Sequence, residues 1–214
     1  MKCPNCNKEI PAPLNFCPWC GSLLKKGIKL PFDDISLTFL RADLSNFTAM
    51  SEAMSPEDVM SFLNEVFGEF QDVIKSYNGE IYQIIGDEVV GIFGIHKKTE
   101  FVPHMAVFAG EEMFRRLHRI NANMNLNINL GLKIGAEIAL TSIYHIQANI
   151  RHASILTSGF RKAQILQKNA ISNTILVGEN LYKATRSFFD YKEIGEFIED
   201  SISVKAYEYK FKIR

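Results

Sequence analysis

The stretch IYQIIGDEVVGIF, residues 81–93, decides the fold because it holds two short apolar runs that flank a turn. Ile81–Ile85 and Val89–Phe93 each have the length of a strand, and Gly86 and Asp87 lie between them. A short connection that contains glycine joins antiparallel strands in a β-hairpin. The stretch therefore predicts a hairpin with Asp87 at its tip.

An amphipathic helix is predicted immediately upstream, from Ser55 to Tyr77. Ser55 can cap its first turn, Pro56 fits there, and two acids follow that favour the positive end of the helix dipole. Its apolar residues recur with a period of 3.6. Further upstream, the apolar stretch Ile35–Ala42 is predicted as a buried strand that ends at Asp43.

The remaining segments alternate between helical and strand patterns. Phe101–Ile120 is predicted as a helix, Asn127–Ile138 and Ala139–Ile146 as two strands, a helix begins at Thr157 or Ser158 and runs to Asn169, and Thr174–Val177, Glu179–Ala184 and Ser201–Ile213 follow as strand, helix and strand. The order β α ββ α ββ α β α β indicates an α+β domain, a mixed sheet covered by helices.

Composition excludes several classes of protein. The 214 residues include 24 basic and 24 acidic side chains, and 47% are hydrophobic, which excludes a disordered chain. A neutral chain is a poor non-specific binder of nucleic acid or of membrane surfaces, so we expect neither as a partner. We find no apolar run of the ~18 residues that a membrane span needs and no signal peptide. We therefore expect a cytoplasmic protein.

The four cysteines lie in the first 20 residues as two C-x2-C pairs, Cys3 with Cys6 and Cys17 with Cys20. Two such turns can direct four thiolates at one tetrahedral Zn²⁺, as in a zinc ribbon. The alternatives, disulfides or a redox pair, fit an unexported chain with duplicated pairs less well. We predict a structural zinc module with its linker over residues 1–27, and a second domain over residues 30–214.

Two carboxylates carry the functional argument. Asp43 follows the first strand and Asp87 lies at the hairpin tip, so a sheet that pairs these strands brings both acids together. Close acids repel unless a cation separates them, and Mg²⁺ favours one or two carboxylates with phosphate oxygens and water. The loop that follows Asp43 can offer backbone N–H groups to phosphates. Alternatively, both acids are ordinary turn residues.

The segment RADLSNFTAMSE, residues 41–52, resembles the F-x-D-[IL]-x-x-F-T-x-x-[SA]-E motif of class III adenylate and guanylate cyclases, with Arg41 in the place of the usual Phe. The following helix and residues 82–94 are similar to that family's next helix and its K-x-I-G-D hairpin. The diguanylate cyclase hairpin, G-G-D-E-F, is a weaker match, since that family lacks the Asn46-Phe47-Thr48 context.

The resemblance implies a ferredoxin-like class III cyclase fold and the conversion of a nucleoside triphosphate, most often ATP, to a 3′,5′-cyclic nucleotide and pyrophosphate. It places two Mg²⁺ or Mn²⁺ ions on Asp43 and Asp87, with triphosphate contacts in the loop formed by Leu44, Ser45, Asn46, Phe47 and Thr48. It also implies a homodimer, or a heterodimer with another cyclase domain, whose interface holds the active sites. The alternatives are a non-catalytic nucleotide-binding or regulatory module, or the metal-bearing half of a heterodimer.

The second half of the family's site matches less well. The base-reading Lys falls on Gln83, whose amide can still donate and accept hydrogen bonds, and the second base-reading residue falls on Ser154. The transition-state Asn falls on Arg161, which we predict as catalytic, and the transition-state Arg falls on Ile165. Losing such a charge costs roughly 10²- to 10³-fold in rate, so the resemblance predicts weak activity.

Overall fold

A mixed sheet runs through the body of the chain in a computed structural model, which describes residues 2–3, 5–10, 17, 19–20, 32–96, 99–123, 130–145 and 153–211. Its strands are β1 Phe32–Ser45, β2 Gly79–Ile85, β3 Glu88–Phe93, β4 Gly131–His145, β5 Ala153–Thr157, β6 Thr174–Gly178, β7 Tyr191–Glu199 and β8 Ile202–Tyr209. The strand order is β2-β3-β1-β4-β6-β8-β7, and β5 pairs with β4. The β4–β6 pair is parallel and the other pairs are antiparallel.

Helices cover both faces of this sheet. They are α1 Phe47–Ala53, α2 Pro56–Ser76, α3 Val102–Asn123, α4 Gly159–Asn169 and α5 Glu179–Thr185. The main core joins α2 and α3 to the face that carries Leu40 and Ala42. Side chains alternate along a strand, so Leu37 and Phe39 point to the opposite face, where they pack with Ala163 of α4.

Helix α4 lies unusually close to the sheet. A Cβ on Gly135 of β4 would lie 2.2 Å from both the carbonyl oxygen of Ala163 and the amide nitrogen of Gln167. Only glycine permits backbones to approach this closely. The contact fixes the height of α4 above the strand that pairs with β1.

The α+β class with a mixed, helix-covered sheet is confirmed, and so are the two elements with the strongest local signals. Helix α2 begins after Ser55, whose hydroxyl accepts a hydrogen bond from the Asp58 N–H at 3.2 Å. The hairpin of β2 and β3 turns at Gly86 and Asp87, as predicted. Both elements are specified by residues close together in the sequence.

Several predicted boundaries were wrong. Residues 131–145 form one strand where two were predicted, because β4 pairs with β1 without interruption from Gly131 to Tyr144; residues 127–129 and 146 lie outside the described part. The predicted closing strand, Ser201–Ile213, corresponds to β8 alone, residues 212 and 213 lie outside the described part, and β5, β7 and α1 were not predicted. Strand β1 also continues past Asp43 to Ser45, because Leu44 and Ser45 pair with Leu132 and Gly131.

Candidate active site

The two acids predicted to converge meet at one edge of the sheet. Asp43 on β1 lies opposite Glu88, the first residue of β3, and Asp87 immediately precedes Glu88. The backbone N–H of Leu44 donates to the carbonyl oxygen of Asp87 at 3.3 Å. The pairing of β1 with β3 therefore places both carboxylates on neighbouring chain segments, and the hairpin tip holds them there.

The electrostatics of this edge favour a cation. Partial burial, followed by the negative charges of Asp87 and Glu88, raises the pKa of Asp43 to about 6, although Lys133 and Arg41 oppose the shift. Burial, followed by Glu88, also raises the pKa of Asp87. Bringing a divalent cation between the carboxylates would relieve this repulsion. The donor set, two carboxylates beside open solvent, fits Mg²⁺ or Mn²⁺.

A buried ion pair lies beside these acids. Arg41 is 8% exposed, and its guanidinium forks onto both carboxylate oxygens of Glu88, with Nη2 at 2.5 Å from Oε2. Side chains two apart on a strand share a face, so Arg41 and Asp43 point the same way. The residue that departs from the family motif thus neutralises the acid next to Asp87.

The segment predicted to hold phosphates lies partly in β1 and partly in α1. Leu44 is buried in the core and its N–H already donates to Asp87, so its amide is not available to a ligand. Ser45 belongs to β1, and its hydroxyl is buried without a hydrogen-bond partner among the described residues. Asn46 adopts a left-handed conformation with φ of 68°, after which Phe47 and Thr48 begin α1. Phosphate binding by this segment stays a prediction, and the Leu44 amide would not take part in it.

The predicted base-reading residues lie on different strands. Gln83 is exposed on β2, just after a register irregularity at Tyr82, and it lines a cavity of about 500 Å³ with Ile84, Ile92 and four neighbours. Ser154 lies on β5 opposite Tyr144, but its side chain falls outside the described part. The structure therefore places Gln83 at a cavity and leaves its pairing with Ser154 as a prediction.

The α4 residues aligned with the transition-state pair are engaged within the chain. Arg161 donates to Gln164 at 2.7 Å and to Glu199 at 2.9 Å, and it also pairs with Asp200 at the β7–β8 turn. Ile165 is fully buried in the core cluster that holds Leu166, Ala170, Leu176, Val204 and Ala206. These contacts direct both positions toward the β7–β8 hairpin.

The N-terminal cysteines form a compact cluster. The Sγ atoms of Cys3, Cys6, Cys17 and Cys20 all lie within 4.8 Å of one another. Asn7, the residue after the first C-x2-C pair, has a φ of 61°, and the Asn5 N–H donates to the Cys3 sulfur at 3.4 Å. Four converging thiolates could hold a metal ion.

A family model described as "Adenylate and Guanylate cyclase catalytic domain" matches residues 29–209. The chain belongs to this family. Residues 1–25 match a second model, "Domain of unknown function (DUF7575)". The resemblance to class III cyclases is thereby confirmed for the catalytic domain, and members of this family use divalent metals, bind nucleoside triphosphates and act as dimers.

Individual proteins are similar to the chain over a short stretch of sequence or in their fold. The chain is similar to Adenylate cyclase 1 of Rhizobium meliloti (strain 1021), with 37% identity over 57 residues, which span 27% of this chain and 9% of that protein. The fold resembles the adenylyl cyclase CyaB from P. aeruginosa, with a TM-score of 0.76, 21% identity and coverage of 86% of this chain and 98% of that chain. The guanylyl cyclase Cya2 gives a TM-score of 0.75 at 22% identity, covering 83% and 93%.

Two charged residues were not predicted at the sheet edge that carries Asp43 and Asp87, which we call the acid edge. Glu88 follows Asp87 directly, and this adjacency was the available signal for a third acid. Lys133 pairs with Asp43 across β1 and β4, and no local pattern indicates a pairing of residues 90 positions apart.

In the described part of the chain, no helix is both long and apolar enough to cross a membrane.

Proposed function

We propose that this chain is a nucleotide cyclase that forms a 3′,5′-cyclic nucleotide and pyrophosphate from a nucleoside triphosphate, with ATP giving cAMP as the favoured reaction. The observation that supports it is the convergence of Asp43 and Asp87 at one sheet edge, where burial and mutual repulsion raise the pKa of Asp43 to about 6. Such an edge is costly for the fold alone and becomes favourable when it binds a cation.

The residues divide the work by position. Asp43 and Asp87 would hold Mg²⁺ or Mn²⁺, two ions per site, and the amides of Asn46–Thr48 would orient the triphosphate at the start of α1. When bound, the metal supplies Lewis acidity to the attacking ribose hydroxyl and charge neutralisation to the triphosphate. Gln83 would contact the base edge with its amide, and Ser154 would be the second base contact.

Turnover by this chain alone should be slow. Arg161 occupies the position aligned with the family's transition-state Asn, but its ion pairs with Glu199 and Asp200 would have to break before it could reach a phosphate. Ile165 offers no charge and is fully buried. Because a homodimer repeats the same residues in both sites, symmetry does not supply the missing partner.

A second candidate follows from the same contrast. A heterodimer in which this chain supplies Asp43 and Asp87, and another cyclase domain supplies the α4 pair, would contain one complete site. A non-catalytic nucleotide-binding module is the remaining alternative. Because Arg161 is held in ion pairs and Ile165 is buried, the heterodimer and the non-catalytic module are both favoured over a homodimer with rapid turnover.

The test is incubation of the purified chain with Mn²⁺ and each of the four common nucleoside triphosphates, followed by chromatography of cyclic products and by equilibrium binding. We expect metal-dependent binding, slow or absent turnover, and loss of binding in Asp43→Asn and Asp87→Asn. Undiminished binding in both variants would show that these acids are turn residues. Binding without any product would leave the heterodimer and the non-catalytic module. Addition of a cyclase domain that has the transition-state Asn and Arg separates them, because only the heterodimer would then form product.

The N-terminal cluster is proposed as a structural zinc site on Cys3, Cys6, Cys17 and Cys20. Four protein ligands leave no open coordination position, so this module should do no chemistry. Residues 1–27 would form it with its linker, and residues 30–214 would fold independently. Zinc content that is unchanged after Cys17→Ser with Cys20→Ser, or a truncation lacking residues 1–27 that fails to fold, would contradict the two parts of this proposal.

A further inference from the structure

The acid edge holds three carboxylates in close succession. Asp43 and Glu88 are opposite one another across β1 and β3, so their side chains share a face of the sheet, and Asp87 adjoins Glu88. Each of the three is partly or largely shielded from solvent. Three free acids would create a strongly negative edge.

The Arg41–Glu88 pair changes this charge. Both side chains are largely buried, with 10% and 14% of their surfaces exposed, and the guanidinium engages both carboxylate oxygens. Bidentate arginine–carboxylate contacts are among the strongest and most directional in proteins. Glu88 is therefore committed to Arg41, and its oxygens face the guanidinium.

We infer that Arg41 acts as a selectivity residue: by masking Glu88 it leaves two carboxylates for the metal, so that the site prefers a metal–triphosphate complex to the bare cation. The inference rests on the proposed metal site at Asp43 and Asp87. Two carboxylates leave coordination positions for phosphate oxygens. A third free carboxylate would compete for those positions and would repel the phosphates.

The test compares charge-deleting variants of the full chain at pH 8. Bare Mn²⁺ binding is followed by the electron paramagnetic resonance signal of free Mn²⁺, and Mn²⁺–ATP binding is followed by calorimetry. Arg41→Met exposes the charge of Glu88, so we expect bare Mn²⁺ to bind about three- to tenfold more tightly and Mn²⁺–ATP to bind more weakly. Glu88→Gln removes an acid and frees a cation, so bare Mn²⁺ should bind about three- to tenfold more weakly.

The double variant Arg41→Met with Glu88→Gln keeps the result interpretable, because it leaves no unpaired buried charge and should fold even if Arg41→Met does not. It should shift both affinities back toward those of the unaltered protein. A control is Arg116→Met, which removes an arginine charge far from this site, with its more exposed ion pair to Glu69 of α2 and its contact with Glu112 of α3. It should leave the ratio of the two affinities unchanged.

The inference is supported if the affinity for bare Mn²⁺ shifts in opposite directions in the two single variants and returns toward the original value in the double variant. Shifts in the same direction, or an unchanged ratio in folded variants, overturn it and reduce the pair to a structural contact. Asp43→Asn separates this failure from failure of the proposed function. If Mn²⁺ binding survives Asp43→Asn, the metal site itself is wrong; if it is lost while Arg41 and Glu88 have no effect on selectivity, only the present inference fails.

Discussion

The acid edge and the contact between α4 and the β7–β8 hairpin differ in whether their charged residues have partners of opposite charge. At the acid edge, Asp43 and Asp87 repel one another and have raised pKa values. At the α4 contact, Arg161 is paired with Glu199 and Asp200, and Ile165 completes an apolar cluster. The acid edge retains repulsion between carboxylates, whereas at the α4 contact the charge of Arg161 is balanced by acids of the same chain.

The difference indicates where the chain still has capacity for a ligand. A folded protein tolerates repelling acids when a cation or substrate compensates them, and perturbed acids therefore cluster at functional sites. Paired charges and packed isoleucines are, by contrast, the ordinary means of stabilising a fold. The acids predicted to bind metal remain partly accessible, whereas the residues aligned with the transition-state pair are engaged within the chain, Arg161 in ion pairs and Ile165 in an apolar cluster.

The largest expected effect comes from restoring the family's arginine on α4. Ile165→Arg would place a charge in a fully buried apolar cluster, so we expect the free energy of unfolding to fall by about 4 kcal/mol without a gain in cyclase activity. Urea denaturation measures this. Ile171→Arg is the matched control, because Ile171 is 71% exposed two residues beyond α4, and its effect should stay within about 0.5 kcal/mol.

A loss below about 1 kcal/mol in Ile165→Arg would show that the hairpin yields easily to a charge on α4. The contrast between the two regions would then be weaker than the contacts indicate. A gain in turnover in the same variant would restore the transition-state position to the active site.

The sequence predicted the acid edge and not the α4 contact, for a physical reason. The hairpin and α2 depend on short-range signals: a glycine turn, an N-cap and a 3.6-residue period. The acidic partners of Arg161 lie 38 and 39 residues away, and Glu88, the partner of Arg41, lies 47 residues away, in pairings set by sheet topology. Strand β7 was missed because its charged, half-exposed residues hide the apolar alternation of a strand.

The second prediction concerns the pH dependence of the acid edge without metal. A carboxyl whose folded pKa is about 6, against a usual 3.8, binds more protons in the folded than in the unfolded state between these values. Stability from this group is therefore present below about pH 4 and is lost as pH rises to about 6. Because Asp43 is only half buried, we expect a loss of about 1 kcal/mol.

Chemical denaturation at pH 4, 5, 6 and 7 with a chelator measures this slope, and Asp43→Asn should lack its contribution. Mn²⁺ should raise stability at pH 7 in the unaltered protein and much less in the variant, since binding to the folded state alone stabilises it. Equal slopes in both proteins would mean that solvent already screens the repulsion at this edge.

The smallest expected effect is on ligand binding at Arg161. Because its guanidinium is already held by Glu199 at 2.9 Å and by Asp200, Arg161→Met should leave the dissociation constant of the Mn²⁺–triphosphate complex within about twofold. The lost ion pairs are partly exposed, so stability should fall by no more than about 1 kcal/mol. Lys133→Met deletes the same charge opposite Asp43, and it should alter metal affinity measurably. Calorimetric titration of both variants measures these affinities. A tenfold weaker binding of the Mn²⁺–triphosphate complex in Arg161→Met would mean that Arg161 leaves its acidic partners to contact the phosphates. Arg161 would then have the catalytic role that its position in the family motif predicts.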